Sequence, residues 1–485
     1  MVASLEIPAA LKATLLAALL AAPGTPAGDE LPARVGALAE ATLKSGPVAG
    51  LAIGLVRGEE TLFAGGFGFA DLEQRTPVTP HTFFRLASVT KQFTAAALLQ
   101  LVEDGTLSLD EPITKQLPKF VAPGGTVTIR QLLNHTSGIA IYTANPAFDE
   151  WARHPRTPAD VVAFIDGKPA DFAPGSGFDY NNSAYFLAGE LAARAAGKSY
   201  EALIEERLFG PLGMERSGYA DDVRLIEQRA QGYAVEGGQF VNDLAMDMAI
   251  PGGAGALGST LHDLLLWAKA LPRLDVVGDE SFAAMTAPTA VDGGFTVDYG
   301  LGLMLGTRDG QAWFGHGGNI HGFNCWIEWL PDAELAVVVL ANTEGNHARE
   351  LAPRLLRLLL PEPAAGAASS GAGSSGAAAS AAPTESAAVA GPPSESLDAL
   401  VGRYRAGERE LTVARDGARL TVRARLDAQP GTPPALPLRF VGARDGRFDF
   451  AFEVDSTQHL VFEPAAVPSR ATLTGRLLVR RFERK

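Results

Sequence analysis

Phe84-Arg85-Leu86-Ala87-Ser88-Val89-Thr90-Lys91-Gln92-Phe93 opens a stretch with a helical pattern over residues 88–104. Beyond Lys91 it is apolar all round, through Phe93, residues 95–99, Leu101 and Val102, so the helix is predicted to be buried. Gly105 follows at the position where helices commonly turn left-handed. Residues three apart share a helix face, which lets the Ser88 hydroxyl meet the Lys91 amine. A serine hydroxyl is a weak nucleophile until a neighbouring base takes its proton. A lysine is such a base when burial and positive surroundings lower its pKa. The helix N-terminus supplies those surroundings, and its free N–H groups can hold an oxyanion. The plainer reading makes Ser88 an N-cap. Against it, a capping box would place Glu or Gln at position 91, and a cation in the first turn opposes the helix dipole. Of the nine lysines, only Lys91 has a serine three positions earlier.

Two further motifs stand downstream. Tyr180-Asn181-Asn182 follows a Pro174-Gly175 loop, and Tyr180 alone among the eight tyrosines has Asn two residues later. A phenol oxygen near a lysine can relay protons. Asn182 can hold that lysine or a substrate carbonyl, or else Asn182 or Ser183 simply caps the helix predicted over 182–196 and closed by Gly197. Gly315-His316-Gly317-Gly318-Asn319 is read as lying between strands; of the eight histidines only His316 has Gly two residues on. The glycines permit close backbone approach, and His316 can donate to a substrate or a leaving group. The alternative is a glycine-rich strand edge with a structural histidine.

Around these motifs, residues 48–56 and 60–69 read as strands. So do 313–314, 323–329 and 335–340, with a helix over 348–360. Strands at both ends with helices between predict an α+β unit over 30–360 whose antiparallel sheet joins distant segments. Residues 361–396 hold 13 Ala, 8 Ser, 5 Gly and 5 Pro, and no Leu, Ile, Phe, Tyr or Trp. Such a stretch cannot bury enough apolar surface to fold, and reads as a linker spanning about 30–36 Å. Residues 397–485 show period-two runs around Asp416-Gly417 and after Asp445-Gly446. About eight short strands there predict a small all-β barrel.

The three motifs together resemble the penicillin-recognising serine hydrolases. That superfamily includes class C β-lactamases, low-molecular-weight penicillin-binding proteins, D-aminopeptidases and related carboxylesterases. Ser-x-x-Lys, Tyr-x-Asn and Lys/His-x-Gly occur in the family's order, as Ser88–Lys91, Tyr180–Asn182 and His316–Gly318. Phe84-Arg85-Leu86-Ala87, Asp104-Gly105-Thr106-Leu107-Ser108-Leu109-Asp110 and Leu132-Leu133-Asn134-His135-Thr136-Ser137-Gly138 are similar too. The resemblance implies a β-lactamase/transpeptidase-like domain with a helical subdomain. It implies Ser88 as the acylated nucleophile, with Lys91 and Tyr180 sharing the base's task and Asn182 beside them. It implies backbone N–H groups of Ser88 and Asn319 as the oxyanion hole, and His316, Gly317 and Gly318 as substrate-binding positions. His316 stands where β-lactamases and carboxypeptidases usually carry lysine. Neutral histidine gives a hydrogen bond where lysine gives a charge, which disfavours substrates with a carboxylate there. His-x-Gly is what D-aminopeptidase-like members show. The expected activity is D-aminopeptidase-like hydrolysis of short peptides or amides with D-residues. Small-ester hydrolysis comes next, then β-lactam hydrolysis or DD-carboxypeptidation, then a non-catalytic sensor. No metal or organic cofactor is expected.

Composition narrows the field further. The 485 residues carry a net charge of −14, which argues against nucleic acid as a partner. The charge divides into −16 over residues 1–360, −3 over the linker and +5 over 397–485. A single cysteine, Cys325, rules out an intramolecular disulfide and multi-cysteine metal sites. It would serve a cysteine hydrolase only with His316 or His321, and its Trp-rich strand reads as core. No serine stands in Gly-x-Ser-x-Gly, and no His-Glu-x-x-His occurs. A non-catalytic binder would be expected to lose Lys91 or Tyr180, and both are present. No apolar run reaches the roughly 18 residues of a membrane span. Residues 13–22 after Lys12 have the size of a signal-peptide apolar region, so residues 1–29 are expected to direct export to the periplasm or outside.

Overall fold

In the computed structural model, residues 30–361 are described except 123, 244–245 and 293–294, together with Leu400, Val401 and eight strands between 402 and 484. The expected export segment and most of the linker fall outside them. Chain order begins with helix α1 (Glu30–Ser45) and strands β1 (Gly50–Arg57), β2 (Glu60–Asp71), β3 (Thr76–Pro77) and β4 (Phe83–Arg85). Helix α2 (Thr90–Glu103), β5 (Phe178–Asp179) and α3 (Asn182–Ala196) follow. Then come β6 (Leu257–Thr260), α4 (Leu261–Ala270), β7 (Met304–Arg308), β8 (Gln311–Ile320), β9 (Phe323–Leu330), β10 (Leu335–Ala341) and α5 (His347–Leu356).

The first and last strands of this unit meet in one antiparallel sheet, ordered β7-β8-β9-β10-β1-β2-β3. Its centre is the register Ile53↔Val339 between β1 and β10. Both strands are buried up to Arg57 at the end of β1, which explains their apolar runs. Alternate residues serve opposite faces. Leu51, Ile53, Leu55, Val337 and Val339 pack under α1 and α5, against Val35, Ala39, Leu351 and Leu355. Ala52, Val56, Val338 and Leu340 face the larger core with Phe93 and Leu98 of α2 and Leu261 and Leu264 of α4. Gly54 lies on that second face, where a Cβ would come within 2.7 Å of Leu265.

The predicted helices are present with adjusted ends. The Ser88 segment begins as a 3-10 turn, Ala87–Val89, before α2 takes over. Gly105 has φ +77° and Gly197 closes α3 at φ +65°, both as expected. The cap of α3 is Asn181, accepting from the Ala184 N–H at 2.9 Å, rather than Asn182 or Ser183. The glycine-histidine motif lies within β8 and not between strands.

The C-terminal strands are β11 (Gly402–Ala406), β12 (Arg409–Asp416), β13 (Arg419–Arg425), β14 (Leu436–Arg444), β15 (Arg447–Phe452), β16 (His459–Phe462), β17 (Arg470–Gly475) and β18 (Leu478–Arg484). Each pairs antiparallel with the next, and β11 also pairs β18 through Tyr404↔Arg484. Strand β18 then pairs β5, Leu478↔Asp179 and Val479↔Phe178, which brings the C-terminal strands to the residues just before Tyr180.

Candidate active site

Ser88 is presented by a tight turn out of β4. Leu86 N–H donates to the Leu257 carbonyl of β6 at 2.9 Å, fixing the chain as it leaves the strand. Ala87 then adopts φ +49°, a left-handed conformation that costs an L-residue about 1–2 kcal/mol. Its neighbours Ala87 and Val89 are buried while Ser88 stays half-buried. No side chain caps the 3-10 turn or α2, so Ser88 is not serving as an N-cap.

Lys91 is fully buried one turn on. Its Nζ lies 3.0 Å from Ser88 Oγ, 2.8 Å from Asn182 Oδ1 and 2.9 Å from the Ala254 carbonyl. Burial holds its pKa well below the usual lysine range, favouring the neutral amine. A neutral amine has two N–H groups and one lone pair. Asn182 Oδ1 and the Ala254 carbonyl only accept, so they take both N–H groups. The lone pair is left for the Ser88 hydroxyl. Tyr180 completes the group: its ring centre is 4.8 Å from Nζ and its hydroxyl is hydrogen-bonded with Ser88. Burial pushes the Tyr180 phenol up, which keeps it protonated at ordinary pH.

The third motif reaches this cluster because Gly318 has no side chain. A Cβ there would lie 2.1 Å from the Leu86 carbonyl and 3.1 Å from the Ala87 methyl. Strand β8 therefore presses directly on the turn that carries Ser88, and the next residue, exposed Asn319, lies at that contact. Gly317 lies over the Trp326 ring, where a Cβ would be 2.6 Å away. His316 is fully buried, its ring centre 6.0 Å from that of Tyr180. Its Nε2 pairs with Tyr299 Oη at 3.0 Å and its Nδ1 with the Gly317 carbonyl at 2.6 Å. Both ring nitrogens are thus engaged within the fold, and donating to a substrate requires one to change partner.

Three participants carried no assigned role in the sequence reading. The Ala254 carbonyl acts through the backbone and leaves no side-chain signal. Tyr299 reaches His316 from seventeen residues upstream. His135, at φ +61°, accepts from the Asn181 N–H at 3.0 Å and packs 4.5 Å from the Tyr180 ring and 4.7 Å from Tyr299. Its ring sits inside the quoted Asn134-His135-Thr136-Ser137-Gly138 stretch, the one available signal. Burial holds its pKa well below the usual histidine range. Cys325 is buried, donates to the Arg85 carbonyl at 3.2 Å, and has its thiol pushed up to about 12 by burial. That thiol is no nucleophile near neutral pH.

The sequence profile of the Beta-lactamase family matches residues 35–360. A D-aminopeptidase from Gluconobacter oxydans is 29% identical over 328 residues, covering 65% of this chain and 59% of that protein. The chain thus spans about three fifths of that relative's length. The D-amino acid amidase from Ochrobactrum anthropi SV3, complexed with L-phenylalanine amide, superposes with a TM-score of 0.59 at 28% identity. It covers 68% of this chain and 98% of the amidase. The octameric penicillin-binding protein homologue from Pyrococcus abyssi gives a TM-score of 0.61 at 26% identity, over 93% of this chain and 99% of that one.

Proposed function

The chain belongs to the Beta-lactamase family, and from that premise we propose that it is a D-aminopeptidase-like serine hydrolase working through an acyl-Ser88 intermediate. The observation that carries this is the buried Lys91 amine, within 2.8 Å of Asn182 Oδ1, 2.9 Å of the Ala254 carbonyl and 3.0 Å of Ser88 Oγ. Lys91 takes the Ser88 proton as Oγ attacks the substrate carbonyl. The Ser88 and Asn319 N–H groups hold the resulting oxyanion. Tyr180, protonated and bonded with Ser88, passes a proton to the leaving amine and is resupplied from Lys91. Water then enters, gives its proton back through the same pair, and releases the acid. Asn182 keeps the amine in place throughout.

The substrate reading is a short peptide or amide with a D-residue. It is supported by the D-aminopeptidase relative and by His316, where lysine would supply a fixed charge. The same reading takes 361–396 as a tether, and 397–485 as a small barrel closed by the β11–β18 pairing. It takes residues 1–29 as an export signal. Turnover of D-aminoacyl amides, nitrophenyl esters and nitrocefin by the purified protein separates the possibilities. D-aminoacyl amides are expected to give the highest kcat/KM. Faster turnover of nitrocefin would overturn the substrate assignment. His316→Lys is expected to shift preference toward carboxylate-bearing substrates, and unchanged preference would remove the argument from that position.

A further inference from the structure

We propose that Thr94 is a positioning residue for the Lys91 base, holding the backbone turn whose carbonyl meets the amine. The inference rests on the acyl-Ser88 reading, though not on which acyl group is carried. Thr94 lies one helical turn beyond Lys91 on α2, so the two side chains leave the same face. It is fully buried. A buried hydroxyl destabilises the fold unless it is hydrogen-bonded.

Its bonds have a fixed direction. Thr94 Oγ1 lies 2.7 Å from the Gly253 carbonyl and 2.6 Å from Tyr200 Oη, while the Thr90 carbonyl of its own helix is farther, at 3.4 Å. A carbonyl only accepts, so the one Thr94 hydrogen goes to Gly253, and Tyr200 donates to Thr94. The turn Gly252–Ala254 uses the Pro251 and Gly252 carbonyls for its own bonds, from the Ala254 N–H at 2.8 Å and the Gly255 N–H at 3.0 Å. The next two carbonyls meet α2. Gly253 is received by Thr94, and Ala254 by Lys91 at 2.9 Å.

The turn is wedged between two helices. Gly253 packs bare backbone on α3, where a Cβ would come within 2.8 Å of the Gly189 Cα. Farther along the chain, the Leu257 N–H donates to Thr90 Oγ1 at 3.2 Å, a second tie to α2. Asn182, at the start of α3, brings Oδ1 to the same Lys91 amine at 2.8 Å. The amine therefore sits where α2, α3 and the turn meet, and Thr94 ties the turn to α2 right beside the Ala254 carbonyl. Without that hydroxyl the buried Gly253 carbonyl is unpaired. The turn shifts to repair the loss and takes the Ala254 carbonyl with it. Fully buried Thr94 touches no substrate, so the loss falls on the acylation rate and not on half-saturation.

The test follows pre-steady-state release of 4-nitrophenolate from 4-nitrophenyl acetate by the full-length protein. Thr94→Val keeps the shape and removes the hydroxyl. It is expected to lower the acylation rate constant about tenfold or more, with the half-saturating ester concentration within about twofold of wild type. Thr94→Ser is expected to restore the rate to within about threefold. In a Lys91→Ala background, Thr94→Val is expected to change the rate less than about twofold, because its effect passes through the amine. Should Thr94→Val fold poorly, combining it with Tyr200→Phe removes both hydroxyls together, and the same rate loss is expected. An unchanged rate in the folded variant, an equal loss with and without Lys91, or no rescue by serine would overturn the inference. Absence of an acetyl group from Ser88 in the wild type would instead overturn the hydrolase reading.

Discussion

Lys91 is the residue on which the chemistry turns. Its ammonium form would need a counter-charge in a fully buried place, whereas its neutral form fits Asn182, Ala254 and Ser88 as they stand. Lys91→Ala is expected to lower kcat/KM by about 10²–10⁴-fold, the usual contribution of a positioned base. The pH dependence has a fixed sign. The base is the deprotonated amine, so kcat/KM rises with pH through Lys91's lowered pKa and then levels off. A rate that falls as pH rises through that region would contradict the assignment. The folded chain also binds fewer protons than the unfolded one between that lowered value and the ordinary 10.5. This group therefore adds stability as pH rises across that window. The Ser88–Lys91 spacing was readable because a helical turn brings the two together whatever the rest of the fold does. The Ala254 carbonyl was not readable, because any residue type supplies a carbonyl. Asn181 and Asn182 divide the tasks that sequence alone assigned to one asparagine: the first caps α3 and the second holds Lys91.

At the scale of elements, three segments far apart in sequence converge on one turn. The sequence placed the glycines of β8 between strands, and glycine is a poor strand former. Strand β8 runs through them because the neighbours require the absence of a side chain: Leu86 at Gly318, Trp326 at Gly317 and β9 at Gly315. The contact at Gly318 is with backbone, which cannot swing aside. Gly318→Ala is expected to cost about 1–3 kcal/mol in stability, read by urea unfolding, and to lower kcat in parallel by separating β8 from the Ser88 turn. A variant with full stability and full activity would show that β8 does not set the geometry. The sheet was legible from its apolar runs at both ends of residues 30–360. Its order was less so, since β1 pairs with β10 across nearly three hundred residues and no local pattern encodes that partner.

Across the whole molecule, the C-terminal strands meet the active-site unit at β5, whose Phe178–Asp179 lead directly into Tyr180. Phe178 is buried beside His135 and Tyr299, so this strand is tied to the site on its other side as well. Removing residues 397–485 is expected to leave Ser88 reactive while changing KM or kcat for the preferred substrate by several-fold. Identical kinetics in the shortened protein would show that the β5–β18 pairing has no bearing on the site. The period-two runs announced strands in the C-terminal segment, and Asp416-Gly417 marked one hairpin among them. The docking edge was not legible, because a two-residue strand carries no periodicity. The opposite net charges of residues 1–360 and 397–485 favour the association, and salt weakens that effect.

The most direct test is the intact mass of the protein after brief reaction with an activated D-aminoacyl ester, followed by peptide mapping. A single added acyl group on Ser88 is predicted, absent from Ser88→Ala. An acyl group on another residue, or an adduct that persists in Ser88→Ala, would contradict the assignment of Ser88 as the nucleophile.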